Sequence, residues 1–536
     1  MVAFKVLTPL AVLAASFASA TPTPRDIKAR WYFPAEVDVL TATIKDLQEF
    51  LSNGTITSVQ LTQHYLDRIG NDNHAGLNLR AVIETAPYNS VMAIAQAFDD
   101  ERANGTVRSG LHGIPMLFKD NIDTDVELGM NTTAGGFALL GAVVPSDAPV
   151  SAKLRKAGVI IIGKANLSQY ANFKGAISNG WSARGLQTSS AYVVGGFAAG
   201  GDPCGSSSGS GVGTSAGFAA AALGSETDGS IICPANRAAL YGIKMSVGLS
   251  SRSGVIPISS TQDTTGPMAK SAYDAALILE NMAGYDVNDT ATYAAVNHTQ
   301  TNYTQYTMAP YATFKGMKIG VPRDFCNETL SGNPPEINVA VNAAIAKIQS
   351  LGASIQDPAD LPSFAEYLQS NNETVVLQND FKVDFGTYMS KLISSPVRTL
   401  EDVINFNDAH ADIEFAPGEC CQETMVASFG TPGTNSSEYL AARAADLMLG
   451  ATNGIDAVLD QYGLDALILP SEGYSTGPPA IVGYPIVTVP LGTLNSTGAP
   501  FGLSFIGRKW SEPTLIALMA AYEANFPPRA VPAQLM

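Results

Sequence analysis

Charge is scarce in this sequence. Lys, Arg, Asp and Glu make up 15% of its 536 residues, against roughly a quarter in an ordinary soluble domain. With hydrophobic residues at 46%, that balance is the opposite of a disordered chain and leaves ample material for a core. The cations do not cluster: 31 Lys and Arg face 48 Asp and Glu, a formal charge of −17. Binding nucleic acid by counterion release needs a basic patch, so no nucleic-acid partner is expected. The five histidines (His64, His74, His112, His298, His410) form no His-Glu-x-x-His or His-x-His cluster, and no cysteine pair has zinc-ligand spacing, so no metal is expected. Five cysteines are too few and too odd in number for a disulfide scaffold. Beyond the first twenty residues no apolar run reaches the roughly 20 residues of a membrane span. Glycines and prolines are dispersed, which excludes collagen-like, low-complexity and repeat architectures.

The start of the chain has a different character. Lys5, the apolar stretch Val6 to Phe17, and Ala18-Ser19-Ala20 read as the three parts of a secretory signal peptide over 1–20. Pro9 and the short apolar run argue against a membrane anchor. An N-terminal extension over 21–40 and one large domain over 41–536 are expected to follow. Secretion gives meaning to the Asn-x-Ser/Thr triplets at Asn53, Asn104, Asn131, Asn288, Asn297, Asn302, Asn327, Asn372, Asn435 and Asn495. Asn166 also begins such a triplet, but it follows the apolar run Val159–Gly163 and is expected to be unmodified. Among the cysteines, a bridge from Cys326 to Cys420 or Cys421 is expected, since adjacent cysteines rarely pair with each other.

Helix and strand signals alternate along the rest. Ile44, Leu47 and Leu51 share one helical face. Thr57 with Gln60 reads as a capping box for a helix through Ile69, and a helical stretch runs from Val91 to Arg102. Ser271 with Asp274 opens a helix that Gly284 can close. Ile337, Val341, Ile345 and Ile348 form another stripe ahead of Gly352. Short apolar strands are predicted ending at Lys119 and over Val159–Ile162, Met317–Val321, Ala466–Leu469 and Pro485–Val489. This interleaving predicts an α/β fold: a sheet covered by helices on both faces, in a single domain. The stretches 285–315 and 358–436 read as less regular, as binding loops or insertions do.

The densest anomaly is Cys204-Gly205-Ser206-Ser207-Ser208-Gly209-Ser210-Gly211-Val212-Gly213-Thr214-Ser215-Ala216-Gly217. So many small residues in an apolar setting imply close backbone approach, to another element or to a ligand. Gly211-Val212-Gly213-Thr214-Ser215-Ala216 fits a dinucleotide fingerprint but lacks the preceding strand that motif needs, so no cofactor is expected. Gly205-Ser206-Ser207-Ser208-Gly209 fits a nucleophile elbow centred on Ser207. That fold requires a downstream acid and histidine, and only His298 and His410 are available.

Two further segments change the reading. One is Gly113-Ile114-Pro115-Met116-Leu117-Phe118-Lys119-Asp120-Asn121-Ile122-Asp123; the other is Gly224-Ser225-Glu226-Thr227-Asp228-Gly229-Ser230-Ile231-Ile232-Cys233-Pro234-Ala235. With the Ser–Gly segment, and in this order, they resemble the amidase signature family, with a core over about 110–285. The wording Pro203–Ser210 and Glu226–Ser230 is most similar to the peptide amidase branch. Asn166-Leu167-Ser168, Trp181–Gly185, Gln262-Asp263-Thr264 and Gly483-Tyr484-Pro485 fit the family as well.

The resemblance implies the amidase signature fold, a large twisted mixed sheet, and a Ser–cis-Ser–Lys triad. Ser230 matches the nucleophile, Ser206 the bridging serine with a cis bond to Gly205, and Lys119 the base. The backbone N–H groups of Thr227, Asp228, Gly229 and Ser230 match an oxyanion hole. The chemistry stands on its own: serine needs a base to be nucleophilic at neutral pH, and lysine serves only when neutral. Lys119 ends the apolar run Met116-Leu117-Phe118, where desolvation disfavours the ammonium. Departures from the common pattern are Asp228 before Gly229-Ser230, Cys204 before Gly205, and Lys270 where arginine is frequent. Cys204 and Cys233 flank the triad motifs and are expected to be buried packing thiols.

The expected protein is a secreted, glycosylated hydrolase of small-molecule or peptide amides, acting through an acyl-enzyme. A glutamyl-tRNA amidotransferase A subunit would share the triad, and the leader argues against it. An acyl-transferring biosynthetic amidase, or a catalytically silent secreted binding protein on the same fold, would carry the same residues.

Overall fold

In a computed structural model of the chain, residues 33–536 are described. The expected leader over 1–20 lies outside them, as does most of the expected extension over 21–40. Eleven strands build the main sheet: β1 (Val82–Thr85), β2 (Ile114–Lys119), β3 (Val159–Ala165), β4 (Ala221–Glu226), β5 (Tyr241–Lys244), β6 (Thr264–Ala269), β7 (Lys318–Gly320), β8 (Ser354–Gln356), β9 (Ala466–Pro470), β10 (Ile486–Thr493) and β11 (Pro500–Ile506). Their order across the sheet is β1-β3-β2-β4-β6-β5-β10-β11-β9-β7-β8. β2 runs parallel to both β3 and β4, and β7 parallel to both β8 and β9. The remaining pairs are antiparallel. The sheet is therefore mixed, as the family resemblance implies.

Every residue of β2, β3 and β4 is buried. A strand covered on both faces has no reason to alternate apolar with polar, which is why Val159–Ile162 reads as an unbroken apolar run. The helices that cover the sheet carry the signals read from their sequences. Ile44–Ser52 buries Ile44, Leu47 and Leu51, and Thr57 caps Ser58–Asp72 with Gln60 reaching back to it. The Ser271 hydroxyl accepts from the Asp274 N–H to start Ala272–Met282, and Pro335–Ser350 buries Ile337, Val341, Ile345 and Ile348.

The segment 358–436 departs from expectation. It holds the long helix Asn372–Lys391 and the helices Leu400–Ala409 and Glu423–Gly430. Phe381, Phe385, Tyr388, Met389, Val403 and Met425 pack there in one apolar cluster with Leu139, Leu167, Tyr170, Ile256 and Ile258. The stretch 285–315 contains only single helical turns, Thr292–Ala295 and Thr304–Thr307, in agreement with its irregular pattern. Among the described residues no helix is long and apolar enough to cross a membrane.

Candidate active site

The Ser–Gly segment folds into a wholly buried helix, Ser208–Ser215. A Cβ at Gly209 would collide with the Ala81 carbonyl and the Asn166 backbone, and one at Gly213 would sit 2.6 Å from Leu117 Cδ1. The close approach inferred from the small residues is therefore to the strands. Leu117 and Lys119 point to the same face of β2 because side chains alternate along a strand. The helix packed on Leu117 thus brings the residues just before it next to Lys119.

Those residues are Gly205 and Ser206, joined by a cis peptide bond. Lys119 Nζ donates to Ser206 Oγ at 2.8 Å, and the Ser206 hydroxyl donates to Ser230 Oγ at 3.0 Å. The three side chains form one hydrogen-bonded row. Lys119 is fully buried, Ser206 is 1% exposed and Ser230 6%, so the row opens only at its serine end. Burial presses the Lys119 ammonium to lose its proton and lowers its pKa to about 7, against the opposing pull of the Asp263 and Glu226 charges.

Ser225 and Asn121, to which the sequence reading gave no role, complete the seat of the amine. Lys119 Nζ also donates to the Ser225 carbonyl and to Ser225 Oγ, both at 3.0 Å. Asn121 Nδ2 donates to the same Oγ at 2.9 Å. An ammonium has three N–H bonds, and Ser206 and Ser225 together take all three. When Lys119 is neutral, its two N–H bonds can stay on Ser225, and its lone pair then faces the Ser206 hydroxyl. The row then reverses, with Ser206 donating to Lys119 and accepting from Ser230. Both residues lie inside the quoted motifs, but their part depends on strand neighbours that sequence order does not display.

The turn from β4 to Ser230 is held from several sides. Glu226 Oε2 accepts from the Ile231 and Ile232 N–H groups at 2.6 and 2.9 Å. Thr227 Oγ1 donates to Asp263 Oδ1 at 2.6 Å, while Asp263 Oδ2 accepts from the N–H groups of Ile258 and Ser259. Gly229 has φ +76°, a left-handed conformation that a side chain disfavours. Among the described residues, no turn or loop carbonyl takes the N–H groups of Thr227, Asp228, Gly229 or Ser230. Fixed, unspent donors beside a nucleophile are what a developing oxyanion requires.

The elbow reading of Ser207 finds no histidine. The Ser207 hydroxyl donates to the Ser225 carbonyl at 3.0 Å. His298 stacks on Trp510, and His410 stacks on Phe406. Lys270 is also spent on structure, donating to the carbonyls of Val39 and Ala42.

The cysteine expectations need correction. Cys204 and Cys233 are not packing thiols but a disulfide, with Cα atoms 5.7 Å apart. The left-handed φ of 58° at Cys204 and the helix Ile232–Arg237 at Cys233 bring the two within bridging reach. The bond ties the loop bearing Ser206 to the turn bearing Ser230. Cys326 is free rather than bridged to Cys420 or Cys421, and those two are joined to each other. Cys421 has φ +89°, so the backbone folds back between them.

A model of the Amidase family matches residues 60–516. The chain belongs to the amidase signature family. Native peptide amidase from Stenotrophomonas maltophilia is 38% identical, with a TM-score of 0.83, covering 92% of this amidase and 98% of that chain. An amidase family protein from Bacillus anthracis is 30% identical, with a TM-score of 0.81 and coverage of 92% and 93%. A candidate amidase of Arthroderma benhamiae is 36% identical over 523 residues, 90% of this chain and 85% of that one. This amidase is therefore a hydrolase similar to peptide amidase in sequence and fold.

Proposed function

We propose that this amidase is a secreted, glycosylated enzyme that cleaves the C–N bond of peptide C-terminal amides and related small amides through Ser230. The observation that carries the reading is the row Lys119–Ser206–Ser230, with a fully buried amine at one end and, at the other, the serine that keeps the most exposure of the three. Ser230 Oγ attacks the carboxamide carbon while its proton passes to Ser206 and the Ser206 proton to Lys119. The N–H groups of Thr227 to Ser230 receive the oxyanion. Collapse returns a proton through Ser206 to the departing nitrogen, and ammonia leaves. Water then attacks the acyl-enzyme, its proton taking the same route, and Ser230 is regenerated. Branch similarity to peptide amidase favours peptide amides; a structure of peptide amidase with the competitive inhibitor chymostatin is 38% identical to this chain, with a TM-score of 0.82.

Two observations support secretion and glycosylation. The Cys204–Cys233 bond suits an oxidising compartment. Asn53, Asn104, Asn288, Asn297, Asn302, Asn327, Asn435 and Asn495 lie exposed, while Asn166 is buried. The test is ammonia release from peptide amides, fatty amides and aryl amides, beside a Ser230→Ala control. Serine-dependent release from peptide amides supports the reading. No release, with Ser230 still labelled by a fluorophosphonate, removes the substrate class; no labelling removes the mechanism. An acceptor amine favoured over water would mark an acyl-transferring enzyme.

A further inference from the structure

A chamber lies in the segment 358–447, near the catalytic turn. Its volume is about 150 Å³, and Tyr367, Leu368, Glu373, Asp446 and Tyr474 line it. Two contacts join it to the turn. Gln262 Nε2 donates to Glu373 Oε1 at 2.8 Å, and Gln262 adjoins Asp263, which holds Thr227. The Tyr367 hydroxyl is so close to Gly477 that a Cβ there would collide with it, and the neighbouring Thr476 packs on Gly229. Asp228, within the turn, acts electrostatically on both Glu373 and Tyr367.

The wall is acidic to excess. Asp446 is 1% exposed, and its Oδ2 has no hydrogen-bond partner. A buried carboxylate oxygen without a donor is costly, and native structures rarely leave one without a purpose. Arg443 lies within electrostatic reach of Asp446 and donates Nη1 to the Ile481 carbonyl at 2.6 Å. Asp446 has the Arg443 guanidinium and Asp228 the Lys244 ammonium, whereas the charges acting on Glu373 are those of Asp228 and Asp446, both negative. Burial raises the pKa of Glu373 to about 8 and that of Asp446 to about 7. Burial thus favours their protonated forms, and a ligand bringing positive charge and N–H donors would favour the carboxylates instead. No group of three His, Cys, Asp or Glu among the described residues is arranged to hold a metal ion, so the chemistry suits an organic cation. Asp446 also sits where the helix Ser437–Leu447 widens into the π-helical stretch Met448–Ile455, a distortion frequent at functional sites.

We infer that this chamber binds a primary ammonium group carried by the acyl part of the amide substrate, with Asp446 and Glu373 as its acceptors. The inference rests on the amide-hydrolase reading above and narrows it to amides bearing a free amine, either the α-amine of an amino-acid amide or the side-chain amine of a basic residue. The ammonium donates to Asp446 Oδ2 and to Glu373 while the carboxamide carbon lies at Ser230.

The test compares matched substrates on the purified full chain. Leucinamide is set against Nα-acetyl-leucinamide, and Nα-acetyl-lysinamide against Nα-acetyl-norleucinamide. One of the two cationic substrates should be favoured by roughly tenfold or more in kcat/KM, the size of one buried charge-assisted hydrogen bond; which pair responds identifies the source of the amine. Asp446→Asn and, separately, Glu373→Gln should each lower that ratio, mainly through KM. Turnover of the neutral amides with no cationic preference in either pair overturns the inference and leaves the hydrolase reading intact. If no amide is turned over, calorimetry with n-butylammonium decides. Binding that Asp446→Asn weakens keeps the ammonium site and removes the substrate; no binding overturns the site.

Discussion

Replacing Lys119 by methionine should abolish amidase activity and, below neutral pH, make the protein more stable. The wild-type amine is buried, and its pKa falls from 10.5 to about 7. At about 1.4 kcal/mol per unit, holding the charged form inside the fold costs on the order of 5 kcal/mol. Methionine keeps the aliphatic contacts and removes that cost, but it also removes the hydrogen bonds to Ser206 Oγ, Ser225 O and Ser225 Oγ. Those contribute about 1 kcal/mol each, leaving the variant ahead by roughly 2 kcal/mol at pH 6. Between pH 7 and 10.5 the unfolded chain binds a proton at Lys119 that the folded chain does not, so wild-type stability rises with pH across this window. By pH 10 about 4 kcal/mol of the penalty is gone, and the order of stability inverts. Urea denaturation of both proteins at pH 6 and pH 10 reads the difference directly. A wild type more stable than Lys119→Met at pH 6, with a gap that does not change with pH, would refute a buried amine of depressed pKa.

Three other outcomes follow from the same geometry. Because only neutral Lys119 can take a proton, kcat/KM for a neutral amide should fall about tenfold per pH unit below 7 and level off above 8; a profile flat from pH 5 to 9 excludes the mechanism. Gly229→Ala forces a side chain into a left-handed backbone 3.2 Å from Thr476 Oγ1. It should lower kcat by tenfold or more and global stability by about 1–2 kcal/mol, as stopped assays beside thermal melts would reveal. Opening the Cys204–Cys233 bond, by reductant or by a Cys204→Ser/Cys233→Ser double variant, should slow fluorophosphonate labelling of Ser230 because the two serine-bearing loops lose their tie. Labelling at an unchanged rate would assign the bond to stability alone.

What could be read in advance follows a physical line. The helices over Ile44–Ser52, Ser58–Asp72 and Pro335–Ser350 announce themselves because each buries one clean stripe and meets water on the other side. The helix Asn372–Lys391 does not, because Asn379 and Asp380 interrupt its apolar face. Both are buried for reasons of partnership: Asp380 Oδ2 accepts from Ser259 and Thr261, and Asn379 Oδ1 from the Gly433 N–H. Leu400–Ala409 carried a legible signal, the Thr399–Asp402 capping box, within a stretch otherwise read as irregular. Lys119, Ser206 and Ser230 could be named because their motifs are local. Ser225, Asn121 and the acidic chamber could not, since their roles arise from strand adjacency and from helices folded over the turn. Cysteine pairing failed for the same reason: spacing along the chain says nothing of which loops meet.

The buried helix Ser208–Ser215 has a consequence for how this protein can change. Three of its eight residues are Gly209, Gly211 and Gly213, each costing about 1 kcal/mol of helical preference relative to alanine. A peptide of this segment would have no tendency to coil by itself; the strands around it impose the helix. The sites that hold Ser206 against Lys119 are therefore also the sites where even a methyl group meets backbone or packed side chains. A saturation scan should find this floor of the active site almost mute, tolerating little beyond the resident residues. Substitutions that redirect the enzyme to new amides should collect instead on the helices of 358–447, none of whose buried apolar residues belongs to the cluster that packs Leu117 and Val212 beneath the triad.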